Sequence, residues 1–374
     1  MRNVTSGSFT TSMHFSTLVA WYQQYERYLI PASLLFGLIS DFLLFQYINT
    51  GLVFSILAFH LTLSAAMIAF IQYGDVDAVR PYWRWLKYVR LFAPVILQYS
   101  FGALLSSFFV FYWFSGSFFS SWPFILLVVF LMVSNDILKK YYLRLPVAIG
   151  VYYFIFFSYL ALVLPYLLST IEPWVFVVAG LVSLGGMLFY LGGLSLLIPR
   201  VMARRFLLGN IVLVVFVGLH VLYFTNMIPP VPLTIRDAGI FHHIERLPSG
   251  DYLVRGEGNS PAHDFFFGRT IHRTPGSPVY VYTAIFAPTR LETRVAHHWY
   301  YFDGVARRWH SAGTIGYAIT GGRDDGYRGY TRRVNVFPGR WRVDVETARG
   351  QVIGRIVFEI EHVETPPALF EERR

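Results

Sequence analysis

The sequence predicts an α-helical polytopic membrane bundle followed by an all-β soluble domain, and three observations lead there. Hydrophobic residues make up 55% of the 374 positions and charged residues only 14%, where soluble domains carry about 25% charged residues. The charges are unevenly shared: residues 1–235 hold 12 Lys and Arg with 6 Asp and Glu, and residues 236–374 hold 19 and 16. Near Ile235 the pattern itself changes, from long apolar runs to short alternating segments separated by turn residues.

Residues 1–27 read as a cytoplasmic, interfacial lead-in. Leu18, Val19, Trp21 and Tyr22 alternate there with Gln23, Gln24, Glu26 and Arg27, and no short apolar core with a small-residue cleavage site marks a secretory signal. Seven spans of about 20 apolar residues are expected between 28 and 228. They fall near 28–48, 52–72, 91–114, 120–137, 146–168, 174–198 and 206–228. The fourth is the weakest, because Asn135 and Asp136 close it. Arg80, Arg84, Lys87 and Arg90 lie between spans two and three, Lys139, Lys140 and Arg144 between four and five, and Arg200, Arg204 and Arg205 between six and seven. The alternate loops have no Lys or Arg, so the basic loops are expected in the cytoplasm and the C-terminal domain outside.

Asp41, His60 and His220 are the ionisable residues nearest mid-span. Counted from the span ends at 1.5 Å per residue, all three lie roughly 10–12 Å below the outer surface. They can form a proton-handling or ligand pocket, or satisfy one another between helices. Gly180, Gly185, Gly186, Gly192 and Gly193 in the sixth span are expected to admit close helix packing. Pro229, Pro230 and Pro232 form a stiff linker over 229–235, expected to hold the next domain off the membrane.

The domain at 236–374 is expected to be an antiparallel β-sandwich. Candidate strands are 238–247, 251–257, 279–287, 293–302, 309–320, 330–336, 341–346 and 351–361, with an irregularity at Gly354. Trp341, Val343 and Val345 alternate with Arg342, Asp344 and Glu346, which puts the two sets on opposite faces of a strand. The same rule separates His297 from His298, so the pair cannot share one metal ion without a bulge. Neither His-x-His nor His-Glu-x-x-His spacing occurs and the chain has no cysteine, so neither a metal site nor a cofactor is expected.

One run of residues carries a family likeness. His297-His298-Trp299, Gly304, Trp309, Gly321-Gly322-Arg323, Gly326-Tyr327-Arg328, Gly339-Arg340-Trp341-Arg342-Val343-Asp344-Val345, Gly350, Gly354 and Phe358 follow in order. This pattern, from Val295 to Ile360, resembles a bacterial domain family of unknown function, similar to versions carried at the C-terminal end of membrane-anchored proteins. The resemblance implies a bacterial envelope protein with a small β-domain and brings no activity with it.

All 19 basic residues of the β-domain are Arg. Arg323, Arg328, Arg333 and Trp341, with His298 and Trp299, are the candidate binding residues, because arginine among aromatics suits carboxylates, phosphates and sugars. The expected partners are the lipid bilayer and a cell-wall glycan, lipid head group or envelope protein; the interspersed acids argue against nucleic acid. A non-enzymatic binding protein of the bacterial inner membrane is the leading expectation. A proton-linked transporter using Asp41, His60 and His220 is the alternative, and an envelope enzyme on lipid-linked sugars the third, with no catalytic residue assigned.

Overall fold

The computed structural model describes residues 50–73, 86–114, 118–229, 233–258, 269–286, 292–320 and 327–374. Its first half is helical: α1 (Thr50–Gln72), α2 (Leu86–Phe114), α3 (Phe118–Ile137), α4 (Lys139–Tyr142), α5 (Leu145–Leu168), α6 (Pro173–Leu197), α7 (Pro199–Ala203) and α8 (Arg205–Phe224). Five of these, α1, α2, α5, α6 and α8, are long and apolar enough to cross a membrane. The first of the seven expected spans, with Asp41, lies outside the described residues. The fourth expected span corresponds to α3, which carries an apolar stretch over Ser121–Ile137. Five candidate spans, rather than seven, are what the described residues support.

Helix α5 is the hub. It packs on α1, α2, α6 and α8, and its buried residues include Tyr153, Phe154, Ile155 and Phe157. Two of the five glycines of α6 serve close packing: a Cβ at Gly180 would lie 2.5 Å from His220 Cε1, and one at Gly186 2.9 Å from the Phe156 ring. Gly185, Gly192 and Gly193 meet nothing within 4 Å, so the expectation holds at those two positions only. The helices also turn apolar side chains outward; Phe189 and Leu196 are 86% and 87% exposed.

The second half is a stack of three β layers. The strands are β1 (Thr234–Phe241), β2 (His243–Arg246), β3 (Tyr252–Gly256), β4 (Arg269–Arg273), β5 (Val279–Phe286), β6 (Glu292–Asp303), β7 (Arg308–Thr320), β8 (Tyr327–Arg333), β9 (Gly339–Thr347), β10 (Val352–His362) and β11 (Phe370–Arg373). A five-stranded sheet runs β4-β10-β9-β6-β7, a middle sheet runs β1-β5-β8, and a third runs β11-β3-β2. Strand β5 explains the stacking. Val279, Val281 and Ile285 face the five-stranded sheet, where they join Trp299, Trp341, Val343, Val345 and Phe358 in two neighbouring clusters. Tyr280, Tyr282 and Ala284 face the other way and pack on Phe241, Ile244, Tyr252 and Val254. A strand apolar on both sides needs a layer on each, so the expected two-layer sandwich becomes three.

Two further differences have local causes. Strand β4 pairs parallel with β10, so the domain is not wholly antiparallel; strands this far apart in sequence have no hairpin to dictate direction. Strands β4 and β11 show no alternation to announce them. Phe370–Arg373 is fully exposed as a strand and is tied on by ion pairs, Arg255 with Glu371 at 2.7 Å and Arg373 with Asp251. At Gly354 the expected irregularity is present: the β9–β10 register shifts between Val352 and Gly354, and a Cβ there would collide with Ile235.

The helices and the β stack meet directly. The Arg349 guanidinium lies 4.3 Å from the Tyr223 ring centroid and 5.6 Å from that of Phe224. Gln351 Nε2 donates to the Ile228 carbonyl at 3.3 Å, and Asn226 Nδ2 to that of Arg349 at 3.4 Å. Ile171, just past α5, packs against the cluster of Leu233, Ile285, Val295, Val345 and Ile353. The domain is therefore seated on the helix ends and not held off by the prolines.

His297 is fully buried between the layers. Its Nε2 lies 3.0 Å from Thr283 Oγ1 and its Nδ1 2.8 Å from Thr331 Oγ1. Burial pushes its pKa down to about 3. The unfolded chain therefore takes up this proton first, and stability is lost as pH falls below the ordinary value of 6.5. Relative to His297→Gln, the wild-type protein should lose about 2 kcal/mol of stability between pH 7 and pH 5, read by denaturant unfolding at the two pH values.

Candidate binding face

The outer surface of the five-stranded sheet gathers the polar residues of its strands into one network. In β9 the alternation sends Trp341, Val343 and Val345 inward and leaves Arg342, Asp344 and Glu346 outside. Cross-strand pairing then fixes their neighbours: Tyr300 stands opposite Arg342, His298 opposite Asp344 and Ala296 opposite Glu346. On the far side Arg355 stands opposite Asp344. A bulge in the β6–β7 pairing between Trp299 and Tyr300 brings Ser311 opposite Tyr300.

Asp344 anchors the network. Only 2% of the residue is exposed, and its carboxylate accepts a bidentate pair from Arg355, Nε at 2.7 Å and Nη2 at 2.9 Å. Arg342 Nε adds an ion pair at 3.3 Å, and its guanidinium lies over two rings, 4.2 Å from Tyr300 and 5.0 Å from Trp309. His298 stacks on Tyr300 with centroids 4.1 Å apart. Its Nδ1 is 2.9 Å from the Tyr300 hydroxyl and 3.4 Å from Glu346 Oε2, and its Nε2 is 2.7 Å from Ser311 Oγ. Burial raises the Glu346 carboxyl above the usual carboxylate range, against the pull of His298. Burial likewise raises the Tyr300 hydroxyl, helped by Glu346. The face thus offers an aromatic shelf of Tyr300 and Trp309 bridged by a fixed guanidinium, beside donors and acceptors of both kinds. Such a surface can stack a ring and hydrogen-bond hydroxyls.

The structure divides the six expected binding residues. His298 belongs to this face. Trp299 and Trp341 are core residues, 0% and 1% exposed, with rings edge to face at 6.4 Å, so they cannot be binding aromatics. Arg333 serves the core: Nη2 donates to the Ala312 carbonyl at 2.5 Å and the guanidinium lies 6.0 Å from the Trp299 ring and 5.9 Å from that of Trp341. Arg328 pairs with Asp251 at 2.8 Å, toward the third sheet; five residues from Arg333 on one strand, it points to the opposite face. Arg323 lies outside the described residues. Tyr300, Ser311, Glu346 and Arg355 were not among the expected binding residues. Alternation already placed Glu346 beside Arg342 and Asp344, whereas the pairing that adds Tyr300, Ser311 and Arg355 is not a local signal.

Of the residues expected near mid-span, His60 and His220 are likewise not brought together. His60 Nδ1 lies 3.4 Å from Ser100 Oγ on α2 and its ring meets Tyr99. His220 bonds the Phe216 carbonyl of its own helix at 2.8 Å and packs among Phe157 of α5 and Phe176 of α6. The two histidines have separate surroundings, and Asp41 lies outside the described residues.

A second acidic centre ties the layers. Glu257 accepts from His242 Nε2 at 2.8 Å, His272 Nδ1 at 2.6 Å and the His272 backbone N–H at 2.7 Å. It fastens the end of β3 to β4, across the flank of the stack.

Comparison with known proteins gives one family match: residues 292–360 match the family described as "Protein of unknown function (DUF2914)". The chain therefore carries a DUF2914 domain in its C-terminal part, covering β6 to β10 and the whole face just described. No curated protein matches. Among solved structures the chain is similar to the Pseudomonas fluorescens alkylpurine DNA glycosylase AlkC bound to DNA containing an abasic site analog, at 10% identity over 81% of this chain and 96% of that one. The TM-score is 0.19, and a likeness this distant carries no argument about fold or function.

Removing the Asp344 charge strands Arg355 and Arg342 on a half-buried surface. Asp344→Asn should lower stability by about 3 kcal/mol, whereas Glu359→Ala on the same sheet should change it by less than about 0.5 kcal/mol; denaturant unfolding of the two variants measures both.

Proposed function

We propose that the protein is an integral membrane protein of the bacterial inner membrane whose C-terminal domain stands outside the cytoplasm and binds an envelope glycan on the outer face of its five-stranded sheet. The observation that carries this reading is the Tyr300–Arg342–Trp309 shelf beside His298, Ser311 and Glu346. Planar aromatic and guanidinium surfaces suit the apolar faces of sugar rings, and the surrounding polar groups suit their hydroxyls. The apolar outward faces of the five long helices support residence in a bilayer. Lys139, Lys140, Arg144, Arg200, Arg204 and Arg205 cluster at the helix ends away from the β stack, which supports a cytoplasmic position for that end. Binding, and not turnover, is the activity assigned.

The test is co-sedimentation of the full-length protein, in neutral detergent, with purified peptidoglycan sacculi. Wild type should be retained, Trp309→Ala and Arg342→Ala should each bind at least about threefold more weakly, and Arg328→Ala should bind as wild type. No retention of folded wild type, or equal retention of all four proteins, would reject the glycan reading.

A further inference from the structure

At the end of the helical bundle away from the β stack, Arg144, Arg200 and Arg204 line one cleft of about 1320 Å³ of empty space, together with Gln72, Leu143 and Pro146. Its floor is built: Gln72 Nε2 donates to the Leu143 carbonyl at 3.1 Å and ties the end of α1 to the turn before α5. Arg144 sits in that turn, Arg200 lies within the short α7 and Arg204 just past it, so two segments far apart in sequence bring three cations to one space.

Among the described residues these three arginines meet no carboxylate within ion-pair distance. None of them makes an ion pair with the described residues, while the arginines of the β-domain facing Asp237, Asp251 and Asp344 are all paired. The Arg144 guanidinium lies over the Tyr141 ring, 4.5 Å from its centroid. Three like charges held around one cleft repel each other unless an anion sits among them, and the forked guanidinium matches a phosphate with paired hydrogen bonds.

What lies beside the cleft points to the source of that phosphate. An adjoining cleft of about 980 Å³ shares Ala203 with the first and is lined by Ser195, Pro199, Met202, Arg205 and Phe206. Phe206 in its lining is 75% exposed, and Leu196 and Leu197, which follow Ser195 in the chain, are 87% and 66% exposed. A free phosphate has no use for such an apolar flank; an acyl chain does. Helix α5 starts at the arginine cleft and ends beside the β-domain, 24 residues away, or about 36 Å, roughly the hydrocarbon thickness of a bilayer. The cleft is therefore at headgroup depth.

We infer that Arg144, Arg200 and Arg204 form a binding site for the phosphate of an anionic phospholipid, with its acyl chain laid on Leu196, Leu197 and Phe206. The site rests on the membrane part of the reading above and is independent of what the β-domain binds. A basic cleft between helices at the inner surface is the arrangement that holds acidic headgroups.

The experiment is thermal unfolding of the full-length protein in neutral detergent, titrated separately with phosphatidylglycerol, phosphatidylcholine and inorganic phosphate. Phosphatidylglycerol should raise the unfolding midpoint, phosphatidylcholine and inorganic phosphate should not, and the half-saturating phosphatidylglycerol concentration should rise about tenfold or more in Arg200→Gln/Arg204→Gln. The single variants Arg200→Gln and Arg204→Gln, and wild type in high salt, should fall between, which keeps the test open if the double variant does not fold. Equal effects of phosphatidylcholine, an equal effect of phosphate alone, or an unchanged response in every variant would each overturn the site. Flotation with phosphatidylcholine vesicles separates the two readings: a protein that inserts there but ignores phosphatidylglycerol loses only this site, and one that does not insert loses the membrane reading itself.

Discussion

Everything in the C-terminal half depends on β5 being buried on both faces. Its run of Val279, Tyr280, Val281, Tyr282, Thr283, Ala284 and Ile285 is buried throughout. One set of alternate residues closes the core shared with the five-stranded sheet, and the other closes the core shared with β2 and β3. Because the middle sheet occupies the inner side of the five-stranded sheet, the outer side is left without a covering layer among the described residues. That is why its polar residues must satisfy one another, and why they do so as a network and not as scattered pairs.

The two adjacent histidines illustrate how burial sorts chemistry. His297 points inward, is held by Thr283 and Thr331 and stays neutral because a charge there would be desolvated. His298 points outward and joins Tyr300, Ser311 and Glu346. One peptide step separates a core group from a member of the outer-face network. The inner layer also stiffens the outer one: Trp299, Trp341 and Phe358 meet edge to face directly beneath it.

The junction makes the two halves mechanically one where they touch. Phe176 and Tyr223 stack with centroids 3.8 Å apart, and Arg349 lies on Tyr223 from the β side. Gln351 reaches the Ile228 carbonyl across the same seam. A turn of the β-domain, Arg349–Gln351, thus clasps the ends of α6 and α8.

What the sequence by itself determined is what depends on local pattern. Long apolar runs mark helices, period-2 alternation separates Arg342, Asp344 and Glu346 from Trp341, Val343 and Val345, and the run from His297 to Phe358 identifies the domain later matched over 292–360. The separation of His297 from His298 and the irregularity at Gly354 were legible for the same reason. Tertiary structure alone decided which strand lies beside which. Trp299 and Trp341, with the arginines expected to partner them, looked like a binding surface until pairing placed both rings in the core and sent Arg328 and Arg333 to opposite faces. Arg355 meets Asp344, and Arg144 lines one cleft with Arg200 and Arg204, only because segments distant in the chain are folded together. Periodicity reports which way a side chain points within its own strand or helix; the neighbour it meets there is set by long-range packing, which no local window contains.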